Sequence, residues 1–259
     1  MLARQENCLA QLISLVENEN PELPEMMERL RPHLGKAYCV GVTGPPGGGK
    51  STVVDKLTAT IRSKGLSVGI IAVDPSSPIS GGAILGDRVR MARHCLDEGV
   101  FIRSMATRGS LGGLAKAVAY AVNLMDAFGM DIIIVETAGV GQTEMGIRQI
   151  ADAVVLILAP GFGDDIQAMK AGLIEVADII VVNKADRDGA ERLLAELGGT
   201  LIFGRGRGKQ LIVATQAING TGIAELYQAI DQKRAESQHR SGFTGREPDS
   251  PRSVVPDEG

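Results

Sequence analysis

Cysteine is scarce in this chain and poorly placed for chemistry. Three cysteines, Cys8, Cys39 and Cys95, are scattered over 259 residues. Their odd number and wide spacing exclude a disulfide framework or a metal-spaced pair and fit a reducing, cytoplasmic setting. Histidine is as sparse: His33, His94 and His239 lie far apart and read as structural or surface residues. Basic charge is also in short supply. Lys and Arg number 27 against 31 Asp and Glu, for a net charge of −4 and a sequence pI near 5.5. No broad positive field is available to hold DNA or RNA, so nucleic acid is not expected as a partner. No apolar run reaches the roughly 18 residues that span a bilayer. The N-terminus lacks the basic-then-apolar pattern of a secretory signal, so no membrane association is expected either.

Glycine, by contrast, is abundant, at 33 residues. Such a supply points to loops built from backbone rather than side chains. With 44% hydrophobic and 22% charged residues, the composition is that of a globular protein. The length suits one large α/β domain with appendages.

Three segments are expected along the chain. Residues 1–36 read as an N-terminal helical extension. Leu9, Leu12, Ile13 and Val16 recur at helical spacing over 3–18, Pro21 and Pro24 interrupt, and a second short helix runs through Met26, Met27, Leu30 and Leu34. Residues 37–236 alternate strand and helix patterns. Strands are expected at 38–43, 67–73, 100–104, 132–135, 154–158, 179–182 and 211–214. Helices are expected up to about 63, around 89–96, over 111–128 and over 223–233. The aliphatic strand runs suit a mostly parallel central sheet covered by helices on both faces, with right-handed crossovers. Residues 237–259 are rich in Ser, Pro, Gly and mixed charge, and read as a disordered tail.

The chemistry starts at Gly44-Pro-Pro-Gly47-Gly48-Gly49-Lys50-Ser51, which fits Gly, four residues, Gly, Lys, Ser/Thr, between an expected strand and an expected helix. Glycines at 47, 48 and 49 let backbone N–H groups converge on phosphate oxygens, and the helix N-terminus favours the anion. Lys50 is placed for the β- and γ-phosphates, and Ser51 for magnesium, with Thr52 beside it at the nucleotide. A second signal, Asn183-Lys184-Ala185-Asp186, follows a strand. Its carboxylate can accept from guanine N1–H and the exocyclic amine, donors that adenine does not offer together. Lys184 can lay its stem over the base. Thr215-Gln216-Ala217 after the last strand is a weak match to a base-supporting loop. Third comes Glu136-Thr-Ala-Gly139, where a strand-end carboxylate can hold the magnesium shell and the Gly139 N–H can meet the γ-phosphate. Gln142 is a candidate to orient the attacking water. Asp74 and Asp87 stand where a first switch loop is expected, and each also suits a turn or a helix cap. Together these features describe a P-loop NTPase using GTP or GDP with Mg2+.

The runs Asp74-Pro-Ser-Ser-Pro-Ile-Ser-Gly-Gly-Ala-Ile-Leu-Gly-Asp87-Arg88, Glu136-Thr-Ala-Gly-Val-Gly-Gln142-Thr-Glu144 and Gly163-Asp-Asp-Ile-Gln167 closely resemble those of the methylmalonyl-CoA-mutase-associated GTPases. Older records call these lysine/arginine/ornithine transport ATPases or kinases. The likeness covers about residues 3–235. It implies a G-protein chaperone of an adenosylcobalamin-dependent acyl-CoA mutase that gates cofactor loading and protects the enzyme. It also implies that Asp74, Asp87 and Glu136 arrange magnesium with Ser51, and that Gln167 and Lys170 belong to a third switch element contacting the mutase. The family builds a homodimer through a C-terminal arm, where this chain has a short polar stretch. Arg88 and Arg108 are the candidates for an arginine finger. The competing expectations are a metabolic kinase or transport-coupled ATPase, and a metal-delivery GTPase.

Overall fold

A computed structural model describes residues 6–74, 91–94, 96–106, 111–137, 143–161, 172–203 and 210–244. The N-terminal unit is α1 (Glu6–Glu17) and α2 (Leu23–Leu30), with a 3-10 turn at Arg31–His33. The core then runs β1 (Tyr38–Thr43), α3 (Lys50–Arg62), β2 (Val68–Asp74), β3 (Val100–Ala106), α4 (Leu111–Phe128), β4 (Ile132–Thr137) and α5 (Thr143–Ile150). It continues through β5 (Ala153–Leu158), α6 (Leu173–Val176), β6 (Ile179–Asn183), α7 (Ala190–Phe203), β7 (Leu211–Thr215) and α8 (Ile223–Thr244).

The seven strands form one sheet in the order β3-β2-β4-β1-β5-β6-β7, and every adjacent pair is parallel. Strands β1, β4 and β5 are buried at every position, which is why their sequences are aliphatic on both faces. Alternate residues feed separate cores. Val40, Val42, Ile134, Val155 and Val181 pack with Val53, Val54 and Leu57 of α3 and Leu226 and Ile230 of α8. On the other face, Ile71, Ile133, Val135 and Val154 meet Val122 and Met125 of α4 and Ile147 of α5. Leu156, Leu158, Ile180 and Val182 meet Leu173 of α6 and Leu193 and Leu197 of α7.

The N-terminal unit adds a further layer. Leu9, Ile13 and Val16, on one stripe of α1, are buried in the α4 core. Two polar attachments fix it. Arg103 of β3 pairs with Glu17 of α1 and donates to Ser14 Oγ at 3.0 Å. Asp126 of α4, 2% exposed, accepts from the backbone N–H groups of Gly35, Lys36 and Ala37 at 2.7, 3.1 and 2.9 Å. Asp126→Ala leaves three donors without their acceptor. The expected loss is about 3 kcal/mol, read by urea denaturation.

Three expectations need correction. The second N-terminal helix ends at Leu30, and a 3-10 turn carries the chain on to His33. Of the helix expected around 89–96, the described residues hold only a 3-10 turn at Ala92–His94. Helix α8 continues to Thr244, so regular structure enters the segment expected to be disordered from 237.

Candidate functional site

Strand β1 is flanked by β4 on one side and β5 on the other. The chain therefore leaves it at the point where strand order reverses, which opens a crevice at the carboxyl ends of the strands. The segment from Gly44 to Gly49 fills this point, and α3 starts at Lys50. Its shape depends on glycine. Gly44 has φ +138° and Gly49 φ +93°. A Cβ at Gly44 would lie 2.1 Å from the Ile157 carbonyl oxygen of β5, and one at Gly49 would lie 2.3 Å from Asn183 Nδ2.

Asn183 ends β6 and is 3% exposed. Its amide joins three segments. Nδ2 donates to the Gly48 carbonyl at 2.8 Å, while Oδ1 accepts from Thr215 Oγ1 at 3.0 Å and from the Ala217 backbone N–H at 3.1 Å. Lys184 takes a left-handed backbone, φ +57°, and Nζ donates to the Gly47 carbonyl at 2.7 Å. That conformation is uncommon outside glycine and is maintained by its surroundings. The Ala185 N–H adds a bond to the Thr215 carbonyl at 3.0 Å. Asp186, next along the turn, is exposed.

On the other side of the loop, Lys50 is 7% exposed, and its ammonium donates to the carbonyls of Gly44 at 2.8 Å and Pro45 at 3.2 Å. Ser51 Oγ donates to Glu136 Oε1 at 2.7 Å, and both residues are buried. Glu136 can reach α3 because β4 pairs with β1 and places Glu136 opposite Val42. Below them, Thr137 Oγ1 donates to Thr43 Oγ1 at 3.0 Å. A buried hydroxyl beside a carboxylate is an all-oxygen donor set, and that chemistry suits magnesium. The neighbouring loop needs its glycines because a Cβ at Gly44 or Gly49 would strike Ile157 or Asn183, and a run of backbone N–H groups in such a loop can take phosphate oxygens.

Asp74 is the last residue of β2, in register with Ala106 of β3. Thr52 follows Ser51 in the first turn of α3. Asp87, Arg88, Arg108, Gly139, Gln142, Gln167 and Lys170 lie outside the described residues. The structure thus brings Gly47, Gly48, Gly49, Lys50, Ser51, Glu136, Asn183, Lys184 and Ala217 to one edge of the sheet. The Thr43–Thr137 pair and the bracing of Asn183 by Thr215 were missed in the sequence. Strand-end threonines were the only signal for them. Ile218, next to Ala217, is 86% exposed.

The family model described as Methylmalonyl Co-A mutase-associated GTPase MeaB matches residues 9–253. The chain belongs to the MeaB family. A Pyrococcus abyssi homologue is 53% identical over 238 residues, covering 90% of this chain and 73% of its own. Escherichia coli GTPase ArgK is 42% identical over 184 residues, covering 70% and 56% respectively. The Mus musculus protein named methylmalonic aciduria type A homolog, mitochondrial, is 36% identical over 261 residues, covering 93% and 62%. Among solved structures, one named LAO/AO transport system kinase superposes with a TM-score of 0.69 at 27% identity, covering 93% of this chain and 80% of its own. Helicobacter pylori HypB in complex with nickel superposes with a TM-score of 0.57 at 16% identity, over 85% of this chain and 96% of its own, a likeness of fold. This MeaB-family chain is a GTPase with a P-loop core.

The contact between Gly49 and Asn183 makes a sharp prediction for a MeaB-family protein. Gly49→Ala must strain a left-handed position and displace the Asn183 amide. Such strain costs on the order of 1–3 kcal/mol. Affinity for GDP, measured by calorimetry, should fall about fivefold or more.

Proposed function

We propose that this GTPase is a magnesium-dependent regulatory G protein serving an adenosylcobalamin-dependent acyl-CoA mutase of the methylmalonyl-CoA mutase type, gating its cofactor loading and protecting it from inactivation. The guanine part of the reading rests on one observation. Asn183 ties the phosphate-binding loop to the loop that carries Lys184 and Asp186. The mutase part rests on the family description, and a cytoplasmic setting goes with it.

In this reading the backbone amides of Gly47, Gly48 and Gly49 wrap the triphosphate, and Lys50 turns from its loop carbonyls to the β- and γ-phosphates. Asp186 accepts from the guanine edge, Lys184 covers a face of the base, and Thr52 and Ala217 complete the nucleotide pocket. Ser51 and Glu136, with Asp74 and Asp87, would hold magnesium. When bound, that ion neutralises charge on the phosphate oxygens. Gln142 orients the attacking water, and the Gly139 N–H meets the γ-phosphate. Catalysis is positioning and charge neutralisation, because a phosphoryl group passing to water asks little covalent chemistry of the protein. Gln167 and Lys170 report the nucleotide state to the mutase.

Two measurements test this. Radiolabelled GTP bound to the purified chain should be displaced by GDP and not by ATP at equal excess, and equal displacement by ATP would remove the guanine assignment. Adenosylcobalamin transfer to purified methylmalonyl-CoA mutase should differ between GTP-loaded and GDP-loaded protein. Transfer indifferent to the protein and its nucleotide would remove the chaperone role. The kinase reading draws on the name of the solved relative, LAO/AO transport system kinase. It would gain if the γ-phosphate passed to a basic amino acid rather than to water.

A further inference from the structure

Helix α3 carries Lys50 and Ser51 at its start and meets the connection between β2 and β3 farther along. Asp55 lies four residues after Ser51, one turn or about 6 Å along the helix axis. Its carboxylate accepts from Arg93 through both oxygens, Nε to Oδ1 and Nη2 to Oδ2, each at 2.5 Å. His94 Nε2 stands 2.9 Å from the same Oδ1. The Asp55 backbone carbonyl accepts from Arg93 Nη2 at 3.0 Å and lies 3.1 Å from His94 Nε2. The side chains of Asp55 and His94 are 15% and 7% exposed, whereas that of Arg93 is half-exposed. Just before them Met91 is fully buried, in the core that includes Val53, Val54 and Leu57 of α3. Farther along the helix, Arg62 donates to both oxygens of Asp97, at 2.9 and 2.8 Å. The connection is thus fastened to α3 at two polar stations, Asp55 and Arg62, which lie two turns apart on one face.

The Arg62 station alone would hold the connection against the helix. The Asp55 station takes a carboxylate and an imidazole largely out of water, which costs free energy that their mutual attraction need not recover. Its place sets it apart: one turn from Ser51 along the helix, and six residues after Asp87 along the connection. We infer that Asp55, Arg93 and His94 are positioning residues for the magnesium site, a clamp that fixes where the chain from Asp87 returns to the helix bearing Ser51. The inference rests on the proposed function, in which Ser51 and Asp87 stand around the ion. Covalent geometry gives the clamp its leverage. The four residues from Asp87 to Met91 span at most about 14 Å. Among the described residues, the next polar attachment to α3 is Asp97, ten residues after Asp87, a reach of about 35 Å. Met91 resists withdrawal from the core, but an unbranched thioether tolerates rotation and shift. The two parallel bonds from Arg93 fix direction as well as distance.

Magnesium titrations of GTP hydrolysis by the full chain test it. In D55A and R93A the Mg2+ concentration giving half the maximal rate should rise about tenfold or more, the scale seen when a group that orients metal ligands is removed. Affinity for GDP in EDTA should match the wild type, because the phosphate loop and the Asn183 turn keep their own bonds. The double variant D55A/R93A should be no worse than the worse single variant, since both break one clamp. R93K keeps the charge but not the fork, and should recover part of the shift. R62A is the control for a merely structural role. It breaks the second station, and should lower the thermal midpoint without moving the Mg2+ curve. If D55A does not fold, R93A decides, because its side chain is half-exposed. A folded R93A that titrates like the wild type, additive shifts in the double variant, or an R62A that moves the curve as far would each overturn the clamp. A wild type that hydrolyses GTP without Mg2+ would overturn the magnesium reading, and the clamp with it.

Discussion

Lys50→Ala will reduce GTP turnover by at least about two to three orders of magnitude, the scale seen when one preorganised donor to developing charge is removed. Lys50 is nearly buried and close to the carbonyls of Gly44 and Pro45, so much of its desolvation is met by the fold before substrate arrives. Under the proposed function, moving it onto a β- or γ-phosphate oxygen exchanges neutral acceptors for an anionic one, and charge-assisted bonds are roughly twice as strong. Alanine removes that charge and leaves two loop carbonyls without their donor. Single-turnover phosphate release, compared with GDP affinity, separates the two effects. The rate should collapse further than GDP affinity, because GDP carries no γ-phosphate. A variant that still hydrolyses GTP at the wild-type rate would place the phosphate site elsewhere.

Asp186→Asn should convert the preference from guanine to xanthine nucleotide. The carboxylate offers two acceptors to the N1–H and exocyclic amine of guanine. An amide turns one of these into a donor, which matches the carbonyl that xanthine carries in place of the amine. A site built for hydrogen bonds discriminates strongly against a base that leaves them unpaired, so the ratio of XTP to GTP affinity should rise on the order of 10²-fold or more. Asp186 is exposed and the turn that presents it is held by Asn183, Lys184 and Ala185. The substitution should therefore leave the thermal midpoint unchanged. Competition titrations with GTP, XTP and ATP give the answer. An unchanged order of affinity would dissociate Asp186 from base recognition.

The seven strands were legible in the sequence, most plainly β1, β4, β5 and β6, where burial on both faces leaves few options beyond small and aliphatic residues. Six of them begin or end one or two residues away from their sequence reading, as at β4, which continues through Glu136 to Thr137. Helices were less legible. α7 contains two adjacent glycines in its interior, which weakens any local helix signal. α6 is a single turn of four residues. The later part of α8 is too polar to show an apolar stripe. At the site, local spacing exposed the phosphate loop, Glu136 and the Asn183–Asp186 turn. The bond from Asn183 to Gly48 spans 135 positions, and no local pattern reveals it. It exists because β6 stands two places from β1 in the sheet.

The Asp126 attachment also has a consequence for the order of folding. Its three backbone partners lie 89 to 91 positions earlier in the chain. On the ribosome, α1 and α2 emerge first, yet the carboxylate that fastens them and the α4 face that buries them come much later. Distant contacts carry the larger loop-closure cost and form slowly. The oldest part of the nascent chain thus waits for α4 before it can dock, and until then its apolar stripe of Leu9, Ile13 and Val16 stays available to chaperones.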